Sequence, residues 1–331
     1  MLKLKAGTMM RMKTADIKAV SRATVKGVVL VSSVFFLSGC LFAPVQLNII
    51  VHDDEERPVA GAKVSGSFFQ DRVVSKISTP HHAGETDAKG FVRLSGREDL
   101  YVDLSVSKAG YYDTIHRVLV RGGSNKRQVP VLLRKKRDPV AMYAKNATIE
   151  LPGYGQEFGY DLFRGDLVMP EHKGVVADIV LRVDRPAPTQ DEIEAKLTIR
   201  FSNPLDGQTP MVLKDAWRDS AYKTAYLAPM NGYLSSLHAR IKRSASGYER
   251  ENLQQPFFLR IRSQADSVGQ LQGANYCKVA PGINILGYAS PRPTIDLRHY
   301  CNAVANDRNV EFDVGHNLLV TLKSEDRVNY P

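Results

Sequence analysis

Cysteine and tryptophan are both scarce in this chain of 331 residues, with three of the first and one of the second. Apart from Cys40 the thiols are Cys277 and Cys301, and their spacing to His299 or His316 matches no zinc-ligand pattern, so neither a metal site nor a cofactor is expected. No apolar run reaches the roughly 20 residues that carry a helix across a hydrocarbon core. The stretch Val28 to Leu37 falls well short and is not a permanent span. No Gly-x-Ser-x-Gly elbow of a serine hydrolase is present. Gly153, Gly155 and Gly159 stand at Gly-x-Gly-x-x-x-Gly spacing with no helical pattern behind them, which excludes a dinucleotide loop. Acidic residues are outnumbered 35 to 45, for a net charge of +10. No folded stretch carries the dense basic stripe that phosphate backbones demand, so a nucleic-acid partner is not expected.

Much of that positive charge sits at the head of the chain. Lys3, Lys5, Arg11, Lys13, Lys18, Arg22 and Lys26 face the single acid Asp16, and the apolar stretch Val28 to Leu37 follows. This is the order of a basic n-region and an apolar h-region, so residues 1–39 are expected to be a secretory signal. Its start is open among Met1, Met9, Met10 and Met12. The stretch ends in Leu37-Ser38-Gly39-Cys40, which resembles the lipobox of bacterial lipoproteins. The resemblance implies cleavage before Cys40, acylation of its thiol with diacylglycerol and palmitate, and anchoring in a membrane, with residues 40–44 as a lipidated tether. One acyl chain anchors only marginally, whereas two or three on one residue hold firmly. Leu41 replaces the aspartate that retains enterobacterial lipoproteins in the inner membrane. The resemblance therefore implies the outer membrane, on either its periplasmic or its surface face. Without the signal, 292 residues remain, with 38 basic against 34 acidic side chains, enough for two domains. In an oxidising compartment Cys277 and Cys301 form a candidate disulfide.

Residues 45–134 alternate apolar and polar positions in short runs. Val45 to Val51, Lys63 to Phe69, Phe91 to Leu94, Tyr101 to Ser107 and His116 to Val120 read as strands of a sandwich. Turns fall at Asp53 to Pro58, at Thr86 to Gly90 and at Lys108 to Gly110, where Asp and Gly supply turn chemistry. Three pieces in this order, Pro58-Val59-Ala60-Gly61-Ala62-Lys63-Val64, Thr86-Asp87-Ala88-Lys89-Gly90 and Val106-Ser107-Lys108-Ala109-Gly110-Tyr111, resemble the carboxypeptidase regulatory-like family, also called transthyretin-like. The resemblance covers under a third of the mature chain and implies a small β-sandwich with no catalytic residues. Asp87 and Lys89 read as a polar hairpin turn. The adjacent His81 and His82 point to opposite faces of a strand and do not pair as ligands.

Arg121, Lys126, Arg127, Arg134, Lys135, Lys136 and Arg137 form a basic connection around the strand Val129 to Leu133, and Asp138-Pro139 ends it. The cluster reads as a solvated linker, with contact to lipid phosphates as the alternative.

Residues 135–331 predict a larger antiparallel β-sandwich or jelly-roll-like domain, which makes the whole chain mainly β. Val175 to Val183, Ala195 to Phe201, Leu234 to Ile241, Pro256 to Arg262 and Asn317 to Leu322 read as strands. Leu197, Ile199 and Phe201 alternate with Lys196, Thr198 and Arg200, one face inward and one to water. Gln190 to Lys196 has a mildly helical pattern. Asp161, Asp166 and Asp178 lie around Gly165 and Gly174 and could hold Ca²⁺, although their order matches no cation-loop motif. Glu157, Asp161, Asp166 and Glu311 are the carboxylates from which a glycosidase pair would be drawn. Tyr154, Phe158, Tyr160, Trp217, Tyr222, Tyr226 and Tyr233 suit either sugar stacking or packing. Arg308 is placed to pair with Glu311 or Asp313. No catalytic constellation emerges. The expected role is a non-enzymatic envelope lipoprotein that binds a glycan or a protein partner through its C-terminal domain. A glycan hydrolase and a purely structural envelope protein are the alternatives.

Overall fold

Period-two alternation decides the first half of the structure. In a computed structural model that describes residues 43–68, 82–120, 126–186 and 192–331, strand β1 (Ala43–His52) buries Val45, Leu47, Ile49 and Val51 and turns the residues between them outward. Strand β2 spans Lys63–Ser67, β3 His82–Glu85, β4 Phe91–Glu98, β5 Tyr101–Ser107, β6 Thr114–Leu119 and β7 Arg127–Leu132. They form two sheets, ordered β4-β1-β7 and β3-β2-β5-β6, with β1 and β7 parallel and the other pairs antiparallel. Val64, Leu104 and Val106 of one sheet, with Phe68 just beyond β2, meet Leu47, Ile49, Leu94 and Val131 of the other in a single apolar cluster. Because β1 already includes Ala43 and Pro44, these two residues belong to the sandwich rather than to a tether. The expected signal 1–39, Cys40, His81 and Arg121 lie outside the described residues.

The turn before β4 shows why Asp87 and Gly90 are there. The Asp87 carboxylate accepts hydrogen bonds from the backbone N–H of Lys89 and Phe91 at 2.8 and 2.9 Å. Gly90 takes φ +71°, and a Cβ on it would lie 2.4 Å from the carbonyl oxygen of Val51. Only glycine fits that approach.

From Val140 onward the chain builds two six-stranded sheets. One is ordered β10-β9-β11-β12-β14-β15 and the other β13-β16-β17-β18-β8-β19. The ranges are β8 Val140–Glu150, β9 Glu157–Asp161, β10 Asp166–Leu167, β11 Ile179–Asp184, β12 Ile193–Arg200, β13 Gly207–Pro210, β14 Ser236–Ser244, β15 Gly247–Glu251, β16 Phe257–Ala265, β17 Leu271–Leu286, β18 Thr294–Asn302 and β19 Phe312–Asn317. All pairs are antiparallel except β8 with β19. Leu181, Leu197, Ile199 and Ile241 pack against Leu259, Ile261, Ile285 and Leu297 across the sandwich. Cys277 and Cys301 stand opposite each other in the register of β17 and β18, and their sulfurs are bonded. The protein is a mainly β molecule with a smaller and a larger sandwich.

The sheet containing β17 is buried on both faces. Its second face carries Met142, Phe258, Tyr276, Tyr300 and Phe312, joined there by Met211 and Ala228 from the long segment between β13 and β14. That segment runs irregularly, with a short 3-10 turn at Asp215–Trp217 and isolated bridges at Ser220, Leu227 and Leu234.

Two sequence expectations are corrected. The helical pattern at Gln190 to Lys196 gives way from Ile193 onward to β12, which pairs with β14; the preceding residues 190 and 191 lie outside the described set. Alternating burial of Ala195, Leu197 and Ile199 outweighs the local helical preference. The strand expected at Asn317 to Leu322 ends where it was to begin. The Asn317 side chain takes over the pairing there, its Oδ1 accepting from the N–H of Ala144 and Leu319 and its Nδ2 donating to the Ala144 carbonyl. Residues 318–322 leave the sheet as turn and coil.

Candidate functional site

Polar and aromatic side chains gather in two places, the joint between the sandwiches and a cleft on the larger one.

The joint is centred on Arg134, just after β7, whose side chain is 1% exposed. Its Nε donates to Asp54 at 3.1 Å, and its Nη1 donates to the carbonyls of Tyr222 and Thr224 at 2.9 and 2.7 Å. The guanidinium carbon lies 4.1 Å from the centre of the Trp217 ring and 4.5 Å from that of Tyr226. Tyr112, Tyr222 and Tyr226 stack in a row with centroids 4.9 and 5.0 Å apart. Glu311, also buried, accepts from the Tyr112 hydroxyl at 2.8 Å and from the N–H of Arg137 and Asp138. The segment after β13 also binds the edge strand β6: Ile115 N–H donates to the Asp219 carbonyl, and the Asp219 carboxylate meets His116 Nδ1 at 2.7 Å. Part of the expected basic linker is thus interior structure. Arg134 is a buried anchor, Lys136 lies over the Tyr112 ring and Arg137 over that of Tyr226.

Lys278 lies against this joint with no exposed surface. Its ammonium is 3.1 Å from Thr224 Oγ1 and within 4.7 Å of the ring centres of Tyr222 and Tyr300. Burial pushes its pKa down to about 7, with the Arg134 charge acting in the same direction and Glu311 against it.

The second place brings together three of the four expected contact residues. Arg262 sits in a β-bulge of β16, between Ile261 and Gln264, with φ +53°. Asp206 supports the bulge by accepting from the N–H of Arg262 and Ser263. The bulge sends the guanidinium to two carboxylates: Nε lies 2.8 Å from Asp178, and Nη2 lies 2.9 Å from Asp161 and 3.0 Å from the second oxygen of Asp178. Asp161 also accepts from the N–H of Phe163, Arg164, Val175 and Val176. Burial alone would raise the Asp161 pKa, but these donors and Arg262 hold it below the usual carboxylate value. Asp178 is buried more deeply and is pushed up despite its Arg262 partner. Asp166 turns to His172 Nδ1 at 2.9 Å and the N–H of Lys173.

The oxygen lone pairs that Ca²⁺ would need are therefore engaged by backbone N–H groups and an arginine. Among the described residues no group of three or more His, Cys, Asp or Glu converges as a ligand set. Glu157 is elsewhere, paired with Arg200 on an exposed face. Glu311 belongs to the joint. Of the four carboxylates from which a hydrolytic pair was to be drawn, Asp161 and Asp166 are register partners and lie together, while Glu157 and Glu311 stand in separate environments. Of the aromatics, Phe158 and Tyr160 are core residues, and Tyr222 and Tyr226 are stacked in the joint. Arg308 donates to the Ala228 carbonyl, while Asp313 meets His316 and Glu311 meets Tyr112.

Around Arg262 opens a cleft of about 490 Å³, lined also by Tyr143, Phe163, Arg164, Lys173, Val175, Val176 and residues 318–321. Phe163 carries the guanidinium 3.9 Å above its ring and stacks on Tyr143 at 4.5 Å.

No protein-family model and no curated protein matches the chain. Among solved structures it is similar to a streptococcal ancillary pilin, at 13% identity over 70% of this chain and 57% of that one, with a TM-score of 0.20. The chain thus spans less than two thirds of that pilin's length. It is also similar to BcpA, the major pilin subunit of Bacillus cereus, at 11% identity over 76% and 95% of the two chains and a TM-score of 0.22. A protein from Bacteroides uniformis described as a "putative carbohydrate binding protein" matches at 8% identity over 80% and 98%, with a TM-score of 0.20. Likeness at this level assigns no residue a role in this chain.

Sequence reasoning missed Arg134, Arg262 and Lys278. The aspartates around Gly165 and Gly174 signalled a charged partner, but Arg262 is 84 and 101 residues from Asp178 and Asp161. No local pattern announces a bulge.

Proposed function

We propose that the chain is an exported, lipid-anchored envelope protein without catalytic activity, whose larger sandwich binds a glycan or a protein partner. In this reading Cys40 carries the lipid in the outer membrane, and the smaller sandwich, a member of the carboxypeptidase regulatory-like family, is a rigid spacer. The joint carries the reading. A spacer works only if it fixes the orientation of what it bears, and a buried arginine donating to two carbonyls and a carboxylate resists hinge motion between the sandwiches. The basic head and the Leu37-Ser38-Gly39-Cys40 stretch support export and acylation. The engagement of Asp161, Asp178 and Glu311 by other protein groups speaks for binding over hydrolysis.

The anchor is tested by labelling cells with palmitate. The wild-type chain takes up label, and Cys40→Ser neither takes it up nor fractionates with the outer membrane; equal labelling of both forms refutes the anchor. Binding is tested with a glycan array and an envelope pull-down on the full chain. If both come back empty, the structural alternative replaces the binding role.

A further inference from the structure

The Arg262 cleft combines features that a purely structural ion pair does not require. A non-glycine residue in the left-handed region costs energy and persists where the surroundings impose it, often at functional sites. Here the imposed residue is an arginine at the wall of an open cavity, held from one side by two carboxylates. Its Nη1 makes no hydrogen bond with any of the described residues, although Nε and Nη2 are fully committed. Arg164 and Lys173, on the same cleft, form no ion pair with any of the described residues. Three cations thus line a space whose lining carboxylate, Asp161, is already engaged.

The cleft wall also carries open apolar side chains. Val175 is 70% exposed and Val320 84%, with Val176 and Leu318 also exposed beside them. A cavity of about 490 Å³ falls within the range of small-ligand sites. From this we infer that the cleft binds an amphiphile with one anionic group, a carboxylate or a phosphate, and an aliphatic body. The anion meets Arg262, Arg164 and Lys173, and the aliphatic part covers the valines and Leu318. A neutral polyol would leave that apolar wall wet, and a cationic ligand would face like charge. The inference rests on the larger sandwich being a binding module and does not depend on the anchor.

The test is calorimetric titration of the full chain carrying Cys40→Ser, so that no acyl chain of its own competes. The probes are dodecanoate and dodecyl phosphate below their micellar concentrations, against dodecanol, dodecyltrimethylammonium, butyrate and inorganic phosphate. Saturable binding of an anionic amphiphile is expected, with dodecanol at least about tenfold weaker, and the ratio of the two anions identifies the headgroup. The exposed double variant Arg164→Gln/Lys173→Gln should weaken the anions about tenfold. Val320→Asp, at a site too exposed to unfold the chain, should weaken them while leaving the melting temperature in place. Equal affinity for dodecanol and dodecanoate, inorganic phosphate matching dodecyl phosphate, or indifference to the double variant overturns the inference. Tighter capture of an apolar peptide with a free C-terminus does so too, in favour of a protein partner. Failure here with a hit on the glycan array leaves the wider binding role standing.

Discussion

Replacing Arg134 by alanine tests the joint most directly. The substitution deletes the donors to Tyr222, Thr224 and Asp54 and the cation that lies over Trp217 and Tyr226. Asp54 keeps a hydrogen bond from the Tyr226 hydroxyl, but its charge is left in a site where the side chain is only 12% exposed. Removing one partner of a buried ion pair costs about 3–5 kcal/mol. Water entering the vacated space offsets part of the orphaned carbonyl cost, so the lower half of that range is expected. For a chain of this size each kcal/mol moves the midpoint by roughly 2–4 °C, and the fall should be roughly 10 °C. Each sandwich has its own apolar cluster, so the loss should also uncouple them. Scanning calorimetry of the full chain should show one transition for the wild type and two for Arg134→Ala. Arg134→Lys keeps the charge but cannot fork onto two carbonyls and a carboxylate, and it should fall between the two. A single transition within about 2 °C of wild type for Arg134→Ala would mean that the joint does not couple the sandwiches.

Three further outcomes follow from named groups. Lys278, with its pKa depressed from 10.5 to about 7, binds fewer protons folded than unfolded between those values, so stability to urea should rise as pH increases from about 7 toward 10; Lys278→Met should flatten that slope. The measurement should stop near pH 10, because buried Tyr112, Tyr222 and Tyr226, all raised by burial, then begin to favour the folded state's protonated form less than the unfolded chain's free ionisation. Reduction of the Cys277–Cys301 bond, or its double serine variant, should cost about 3 kcal/mol, since the bridge closes a loop with a sequence separation of 24; an unchanged urea midpoint under reductant would count against that. Gly90→Ala should lose more than about 1 kcal/mol, whereas Gly110→Ala, also at positive φ but with open space around it, should lose less. Equal losses would show that the Val51 carbonyl yields.

Legibility in the sequence followed the number of wet faces a strand has. The strands β1, β5 and β12 have one face in the core and one toward solvent, and their alternation places them to within a few residues. Strand β17 from Gly273 to Val279 and β18 from His299 to Asn302 carry unbroken burial, because segment 211–234 and the tail cover the side that would otherwise be wet. A strand buried twice loses the period-two signal, and both went unread. Lys278 shows the same effect on one residue. It alternates with Cys277 and Val279, which face the core, so its position in the strand points it outward, yet the covering segment closes over it.

By itself the sequence determined what is local: the β class, the turn at Asp87 and Gly90, and the order of charge and apolar residues at the head of the chain, because each follows from neighbours within a few positions. Tertiary structure alone decided that Arg134 is an interior anchor rather than part of a wet linker. It alone decided that Asp161 and Asp178 serve an arginine rather than a metal ion. In both cases the deciding partners are contributed by strands and loops remote in the chain, and the free energy of a charge depends on what surrounds it, not on what precedes it.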